Sequence, residues 1–224
     1  MTNFILSYGS YGGQTLTANE IGIVSATAVI SSSITTGIFG SGGNLDVRVF
    51  GEILTIENVA ISLSGDNLHL HLGATAHVVT AAMDSGYYAG FEIYNTLSAS
   101  VVNEGSVSGN RVGGYLHTNA GGAILMQNSG SITAERDAVM VQGDGRVQII
   151  NTGSLTGPQK GITNMFSVLS NAAVDITNTG TISGGIFAVE TGGGADRLIN
   201  QGTLFGAVSL GAGDDFFDGR GGRT

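Results

Sequence analysis

Apolar and polar residues alternate along most of this chain, in short runs that glycines interrupt. The stretch "RVQIIN" places Val147 and Ile149 on one side, and "AAVDITN" places Val174 and Ile176 in the same way. Residues 68–72, "LHLHL", alternate strictly. A period of two over a short run indicates a strand with one buried face. The pattern therefore predicts an all-β protein of many short strands, and long helices are not expected.

The second half of the chain contains an internal repeat whose core is N-x-G, then Ser or Thr, then a branched apolar residue. Its copies recur at a slightly variable interval. The copies are NEGSVSG from Asn103, NSGSITA from Asn128, NTGSLTG from Asn151, NTGTISG from Asn178 and NQGTLFG from Asn200. This period predicts a right-handed parallel β-helix (β-solenoid) with coils of roughly 22 to 27 residues. About nine or ten coils would make a stiff rod on the order of 45 Å long.

The repeated asparagine has two interpretations. If Asn103, Asn128, Asn151, Asn178 and Asn200 point inward at one corner, each amide can hydrogen-bond to the next and form a ladder. Alternatively, these residues face solvent in turns, as asparagine often does. The glycine and the apolar residue that recur with them favour the ladder. We expect the glycine of each copy to allow a turn with positive φ, or a bulge between two strands.

The two ends of the chain differ in composition from its middle. Residues 1–25 are atypical and are the candidate N-terminal cap or first coil, because an uncovered edge strand promotes aggregation. Residues 26–190 are predicted to form the solenoid. Residues 191–224 are rich in glycine and aspartate and form a third region.

Composition narrows the possible partners. The net charge is −9 and Lys160 is the only lysine, so the chain has no basic surface to neutralise a nucleic-acid backbone. Nucleic acid is therefore not an expected partner. There is no run of about 18 apolar residues and no N-terminal signal pattern, so we expect neither a membrane span nor Sec-type export. Cysteine is absent, which excludes disulfide bonds.

Two stretches near the C-terminus combine glycine with aspartate. They are TGGGADRLIN from Thr191 and LGAGDDFFDGRGG from Leu210, and Asp196 in the first corresponds to Asp215 in the second. The spacing between these two aspartates is close to two copies of a nonapeptide. Both stretches resemble the nonapeptide of the repeats-in-toxin (hemolysin-type calcium-binding) family, G-G-x-G-x-D-x-U-x. The upstream repeats are similar to the β-solenoid repeats of large secreted bacterial adhesins.

The first resemblance implies that the solenoid leads into a β-roll, whose successive turns hold Ca²⁺ between carboxylates and backbone carbonyls. Ca²⁺ takes about six to eight oxygen ligands, and glycine lets carbonyls approach an ion closely. The candidate calcium residues are Asp196, Gly211, Gly213, Asp214, Asp215 and Asp218. Thr191 and Leu210 depart from the pattern, and no aspartate follows Asp218, so a site in this chain would lack ligands. The resemblance also implies type I secretion.

Three other groups of residues carry candidate chemistry. His69 and His71 share one side of a strand, where they either hold a transition metal or face solvent. An aromatic group comprises Tyr87, Tyr88, Phe91 and Tyr94, with Glu92. It forms either a platform for sugar rings or a mixture of core and loop residues. The charged groups considered for a polysaccharide-acting enzyme are Glu135, Arg136 and Asp137, and Asp144 with Arg146. No residue is assigned as catalytic.

Together these patterns predict a structural or adhesive β-solenoid segment of a secreted or cell-surface bacterial protein, with Ca²⁺ stabilising its C-terminal end. A polysaccharide-binding or polysaccharide-cleaving domain on the same fold is an alternative. A solenoid that associates end to end is a second alternative. The expected partners are a carbohydrate, a cell surface, or further copies of the chain at the solenoid ends.

Overall fold

The computed structural model describes residues 3–81, 86, 88–95, 97–164 and 170–224. Over these residues the chain forms 26 strands. They wind into a parallel β-solenoid of about eight turns, with about 24 residues in each turn. The predicted fold class, an all-β parallel β-solenoid, is confirmed. The described residues contain no helix, and therefore no helix long and apolar enough to cross a membrane.

Most turns contribute one strand to each of three faces. The first face is a sheet of ten strands, and all of its neighbouring pairs are parallel. Its strands are β1 (Phe4–Leu6), β4 (Ile21–Val24), β7 (Leu45–Val49), β10 (Leu68–Leu72), β13 (Ser98–Asn103), β16 (Ala123–Asn128), β19 (Arg146–Asn151), β22 (Ala173–Asn178), β24 (Arg197–Asn200) and β26 (Phe216–Asp218).

The second and third faces belong to one sheet, because β23 (Thr181–Glu190) and β25 (Thr203–Ser209) run through both. The second face contains β2 (Gly9–Tyr11), β5 (Ala28–Ser32), β8 (Glu52–Ile56), β11 (His77–Ala81), β14 (Ser106–Gly109), β17 (Ser131–Ala134) and β20 (Ser154–Gly157). The third face contains β3 (Gln14–Leu16), β6 (Ile38–Ser41), β9 (Ile61–Gly65), β12 (Ala89–Asn95), β15 (Val112–Thr118), β18 (Asp137–Gly143) and β21 (Lys160–Asn164).

Apolar side chains fill the interior and stack in register from turn to turn. One fully buried column on the first face consists of Val47, Leu70, Val101, Met126, Ile149, Ile176 and Leu198. Burying such a side chain contributes roughly 1.5 to 3 kcal/mol. Because members of a column contact the turns above and below, each turn is stabilised mainly by its neighbours.

The glycines of the repeat allow consecutive turns to touch through their backbones. A Cβ atom on Gly153 would lie 2.1 Å from the carbonyl oxygen of Gly130, and one on Gly180 would lie 2.1 Å from that of Gly153. Neither Gly153 nor Gly180 has positive φ. The prediction of positive φ at this position is therefore wrong. The repeat needs glycine here because the backbones of neighbouring turns approach closely, and not because it forms a left-handed turn.

The turns at the two ends are shorter than the others. Both the turn from β1 to β4 and the turn from β24 to β26 contain fewer residues than the average of about 24. Apolar side chains are exposed at both ends, including Ile5 (65%) and Tyr8 (80%) at one end and Phe216 (49%) at the other. The cap in residues 1–25, the division at residue 191 and association through the ends stay predictions.

Candidate functional site

The five repeat asparagines occupy the last position of consecutive strands on the first face, and they share one register. All five are buried. Each Nδ2 donates to the Oδ1 of the next, at 2.7 Å (Asn103 to Asn128), 2.8 Å (Asn128 to Asn151), 2.7 Å (Asn151 to Asn178) and 2.8 Å (Asn178 to Asn200). The structure thus brings together all five residues that the sequence placed at one corner. A continuous ladder of this kind supplies partners for amides that have left water.

The ladder has a direction and an unsatisfied first acceptor. Leu72 is the register partner of Asn103 in the preceding turn. The buried Asn103 Oδ1 consequently accepts no hydrogen bond. At the other end, the Asn200 Nδ2 donates to the carbonyl oxygen of Arg223 at 3.3 Å. An unsatisfied buried acceptor costs about 1 to 3 kcal/mol, so the first position is energetically unlike the others.

A second asparagine ladder lies at the corner that precedes the first face. Asn44 Nδ2 donates to Asn19 Oδ1 at 2.8 Å, and Asn67 Nδ2 donates to Asn44 Oδ1 at 3.0 Å. Ser98 continues the series by donating to Asn67 Oδ1 at 2.6 Å. The three asparagines have φ of 66°, 59° and 53°, a conformation that asparagine tolerates well. This ladder was not predicted, although its asparagines recur at nearly the same interval as those of the first ladder, which was a usable signal.

The two glycine- and aspartate-rich stretches form turns that stack directly on each other. Gly211 and Gly213 have φ of +80° and +137°, which favours glycine. A Cβ atom on Gly211 would lie 2.0 Å from the carbonyl oxygen of Gly192, and one on Gly213 would lie 2.2 Å from that of Gly194. The structure therefore places both predicted glycines against the matching glycines of the preceding turn.

Two of the predicted calcium aspartates also stack in this way. The Asp196 amide donates to Asp215 Oδ1 at 2.9 Å, and the Val174 amide donates to Asp196 Oδ1 at 2.8 Å. Asp196 is 2% exposed, and its Oδ2 is buried without a hydrogen-bond partner. Burial and, to a smaller extent, the Asp215 charge raise the pKa of Asp196 to about 6, although the hydrogen bond from Val174 opposes the shift.

The other two predicted aspartates have different surroundings. Asp218 is bound by Arg220, with Nη2 and Oδ2 2.6 Å apart. Hydrogen bonds from Arg220 hold the pKa of Asp218 down at about 2. Asp214, which belongs to the second stacked turn, lines an open pocket together with Asp196 and Arg197. Of the predicted calcium aspartates, Asp218 is therefore bound by an arginine, whereas Asp214 shares a pocket with Asp196.

The fit of these residues to Ca²⁺ depends on neutral oxygens. Within the part of the chain that the structure describes, no three His, Cys, Asp or Glu side chains are placed to hold a metal ion. An ion would need amide, hydroxyl or carbonyl oxygens in addition to a carboxylate, which Ca²⁺ accepts. The unpartnered Oδ2 of Asp196 meets the need for a carboxylate. The residues around Asp196 therefore fit Ca²⁺, and the complete predicted set stays a prediction.

His69 and His71 each meet a carboxylate from a neighbouring turn. His69 Nδ1 is 2.9 Å from Asp46 Oδ1, and His71 Nε2 is 3.5 Å from Glu104 Oε2. Asp46 also binds Arg48. Burial opposes the ionisation of Asp46, but hydrogen bonds from Arg48 and His69 lower its pKa. Both carboxylates come from the turns before and after, so the spacing along the chain did not indicate them.

An aromatic cluster lies on the outer surface of the third face. The ring centroids of Tyr94 and Tyr115 are 5.3 Å apart, and those of Tyr94 and His117 are 5.5 Å apart. Phe91, which the sequence grouped with Tyr94, is instead fully buried in the core. Tyr87 of the same group lies outside the described residues. Tyr94 is the tyrosine of this cluster that remains substantially exposed, at 38%.

Polar groups accompany this aromatic cluster. Glu92 lies between Ser62 and Tyr115 in register. Burial raises the pKa of Glu92 to about 7, although a hydrogen bond from Ser62 opposes the shift. The Tyr115 hydroxyl donates to Gln142. Aromatic rings beside carboxyl and amide groups combine an apolar surface with hydrogen-bonding partners.

The charged residues considered for catalysis do not form one site. Asp137 begins β18, whereas Asp144 follows the end of the same strand. Asp137 is 1% exposed and lies 3.3 Å from the Arg136 Nε. Burial raises the pKa of Asp137, against the attraction of Arg136. Asp144 is exposed, so these two carboxylates do not provide the facing, accessible pair that glycosidases use.

Comparisons with known proteins add no family to these observations. No protein family, no curated protein and no solved structure matches the chain. The likeness to repeats-in-toxin sequences therefore remains a resemblance of two short stretches. The fold class follows from the strand pairing alone.

Proposed function

We propose that this chain is a structural segment, a rigid β-solenoid that serves as a scaffold or adhesive stalk in a secreted or cell-surface bacterial protein. The observation that carries the proposal is the uninterrupted stacking of turns along one axis. A buried ladder of five asparagines runs beside a continuous apolar column. Because these contacts repeat from turn to turn, bending the rod would disturb many of them together.

The proposal includes a Ca²⁺ ion bound near the C-terminal end of the solenoid. The stacked turns 191–196 and 210–215 and the partnerless oxygen of Asp196 support it. Binding would add its free energy to the stability of these turns, which suits an extracellular setting rich in Ca²⁺. Type I export, and a partner on a carbohydrate or cell surface, belong to the same proposal and rest on the sequence resemblance.

Rigidity can be tested with pairs of spin labels and pulsed electron paramagnetic resonance. The chain has no cysteine, so Ser31→Cys with Ser183→Cys creates two unique outward positions. These residues are six register steps apart on the second face. At about 4.8 Å for each step, their backbones should be about 29 Å apart. The pair Ser31→Cys with Thr133→Cys spans four of those steps, and about 19 Å is expected.

A single narrow distance distribution for each pair, with the expected difference between them, would support a stiff scaffold. Broad or multiple distributions would contradict it. Repeating the measurement with Ca²⁺ and with a chelator separates the two parts of the proposal. The scaffold requires that the distances between these positions stay the same, because all of them precede the glycine- and aspartate-rich turns.

Polysaccharide binding is a second candidate function, and the aromatic cluster of Tyr94, Tyr115 and His117 favours it. A glycan microarray followed by affinity electrophoresis in the selected polysaccharide tests it. We expect Tyr94→Ala to abolish the retardation that the wild-type chain shows. Tyr8→Ala, which removes an exposed tyrosine at the far end of the solenoid, is the matched control. A wild-type chain that no glycan retains would reject this candidate and leave the scaffold untouched.

A further inference from the structure

Three polar side chains gather inside the solenoid at the corner between the third and first faces. Asn164 ends β21 and is the register partner of the core residue Val141. Thr191 directly follows β23, and Asp196 directly precedes β24. Asn164, Thr191 and Asp196 are 2%, 3% and 2% exposed. We call them the inner polar corner.

The members of the inner polar corner border the same turn, residues 191–196. Gly192 packs against Asn164 so closely that a Cβ atom there would lie 2.7 Å from the Asn164 Nδ2. The Thr191 side chain lies close to the Asp196 carboxyl and acts to lower its pKa. The Thr191 hydroxyl donates to the Leu210 carbonyl oxygen at 2.9 Å, which leaves its oxygen free to accept or to ligate.

The inner polar corner contains buried atoms without partners. Asn164 Oδ1 and Nδ2 and Asp196 Oδ2 are all buried, and none of them makes a hydrogen bond. Buried polar groups in folded proteins are nearly always satisfied, so three such atoms beside one turn favour a bound ion or water there. The charged neighbour that acts on Asp196 is Asp215, which repels its negative charge. A buried carboxylate in this situation favours a cation over a neutral ligand.

We propose that Ca²⁺ binds inside the inner polar corner, held by the Asp196 carboxylate, the Asn164 amide oxygen and the Thr191 hydroxyl oxygen, with backbone carbonyls completing the shell. The inference rests on the calcium part of the proposed function and assigns the ion to a different location. Asn164 lies outside the glycine–aspartate pattern, in the turn before it. The ion therefore joins that turn to the turn of Asp196, whereas Asp214 and Asp218 make no contribution.

Calcium titration by isothermal calorimetry on the full chelator-treated chain tests the site, with thermal melting as a second readout. We expect Asn164→Ala to weaken Ca²⁺ binding at least about tenfold, as the loss of metal-orienting groups does. Asp196→Asn should abolish binding. Asn171→Ala, an exposed asparagine in the same connection, is the matched control and should bind like wild type. Asp218→Asn should also bind like wild type.

A gain-of-affinity variant guards against simple misfolding. Asn164→Asp adds a carboxylate to the corner, so we expect tighter Ca²⁺ binding together with a lower melting temperature in chelator. A purely structural asparagine would show the second effect without the first. Wild-type affinity in both Asn164 variants, with loss in Asp215→Asn, would overturn this inference and leave calcium in the stacked turns.

The remaining outcome concerns the wild-type chain itself. If it neither binds Ca²⁺ nor gains melting temperature from it, the inner polar corner holds water. Both calcium proposals would then fail. The spin-label distances would still decide the scaffold, because they do not depend on the metal.

Discussion

Replacing Asn151 with alanine is expected to destabilise the solenoid more than the same change at Asn103, although both belong to one ladder. Asn151 donates to Asn178 Oδ1 at 2.7 Å and accepts from Asn128 Nδ2 at 2.8 Å. Its loss removes both ladder hydrogen bonds, together with longer ones to two backbone carbonyl oxygens, and leaves the buried Asn178 Oδ1 without a donor. Each lost bond costs about 0.5 to 1.5 kcal/mol and the new unsatisfied acceptor about 1 to 3 kcal/mol, which amounts to about 4 kcal/mol.

Asn103 begins the ladder, and its own Oδ1 already lacks a donor. Alanine there removes one ladder hydrogen bond, a longer contact of 3.4 Å with a backbone carbonyl oxygen and one unsatisfied acceptor, while it creates another unsatisfied acceptor at Asn128. The number of unsatisfied acceptors does not change, so the expected cost is about 1 kcal/mol for the lost bond. The side-chain volume removed is the same in both variants. A difference of about 3 kcal/mol in the free energy of unfolding should therefore separate them.

Urea unfolding followed by far-ultraviolet circular dichroism measures this difference. The exposed Asn171→Ala is the control, and it should lie within about 0.5 kcal/mol of wild type. Equal losses for Asn151→Ala and Asn103→Ala would refute a connected ladder. They would indicate instead that each asparagine stabilises only its own turn.

Three further predictions concern backbone contact and buried carboxyls. Gly153→Ala should cost more than about 3 kcal/mol, because a Cβ atom there would lie 2.1 Å from the Gly130 carbonyl oxygen. Gly12→Ala, where a Cβ atom meets nothing within 4 Å, is its control, and equal urea midpoints would contradict the backbone contact. In calcium-free buffer, the Asp196 carboxyl should lower the free energy of unfolding as the pH rises from about 4 through about 6. Its native pKa of about 6 exceeds the ordinary value of 3.8, so the native state binds more protons than the unfolded state over this range. Asp196→Asn should remove about 3 kcal/mol of this dependence, and an unchanged pH profile would show that the carboxyl is solvated. The pKa of Glu92 is about 7, so Glu92→Gln should raise stability above pH 7 and change it little near pH 4 in the same urea experiments. A difference between variant and wild type that stays constant with pH would contradict the burial of Glu92.

The solenoid could be predicted because its determinants are local and repeated. The alternation at Val147 and Ile149 decides which side chains face inward, and the structure buries both. The near-constant length of each turn decides which residues meet in the next turn. Counting from Asn103 to Asn128 and Asn151 therefore locates a shared corner without any knowledge of coordinates.

The partners of outward-facing and corner residues could not be predicted in the same way. His69 meets Asp46 from the preceding turn, whereas Asp218 binds Arg220, which follows it closely in the chain. Such contacts depend on side-chain rotamers and on loops that differ in length between turns. Spacing alone therefore grouped Asp218 with the residues of the stacked turns, although the structure pairs it with Arg220 instead.

By itself, the sequence determined the all-β class, the stacking of turns and the alignment of the repeat asparagines, because each follows from periods that can be counted along the chain. The tertiary structure alone decided that the repeat glycines are needed for contact between backbones, and that Asp196 and Asn164 carry unpartnered buried atoms beside one turn. The physical reason is that both depend on distances between segments that are far apart in sequence, and on how closely neighbouring turns approach.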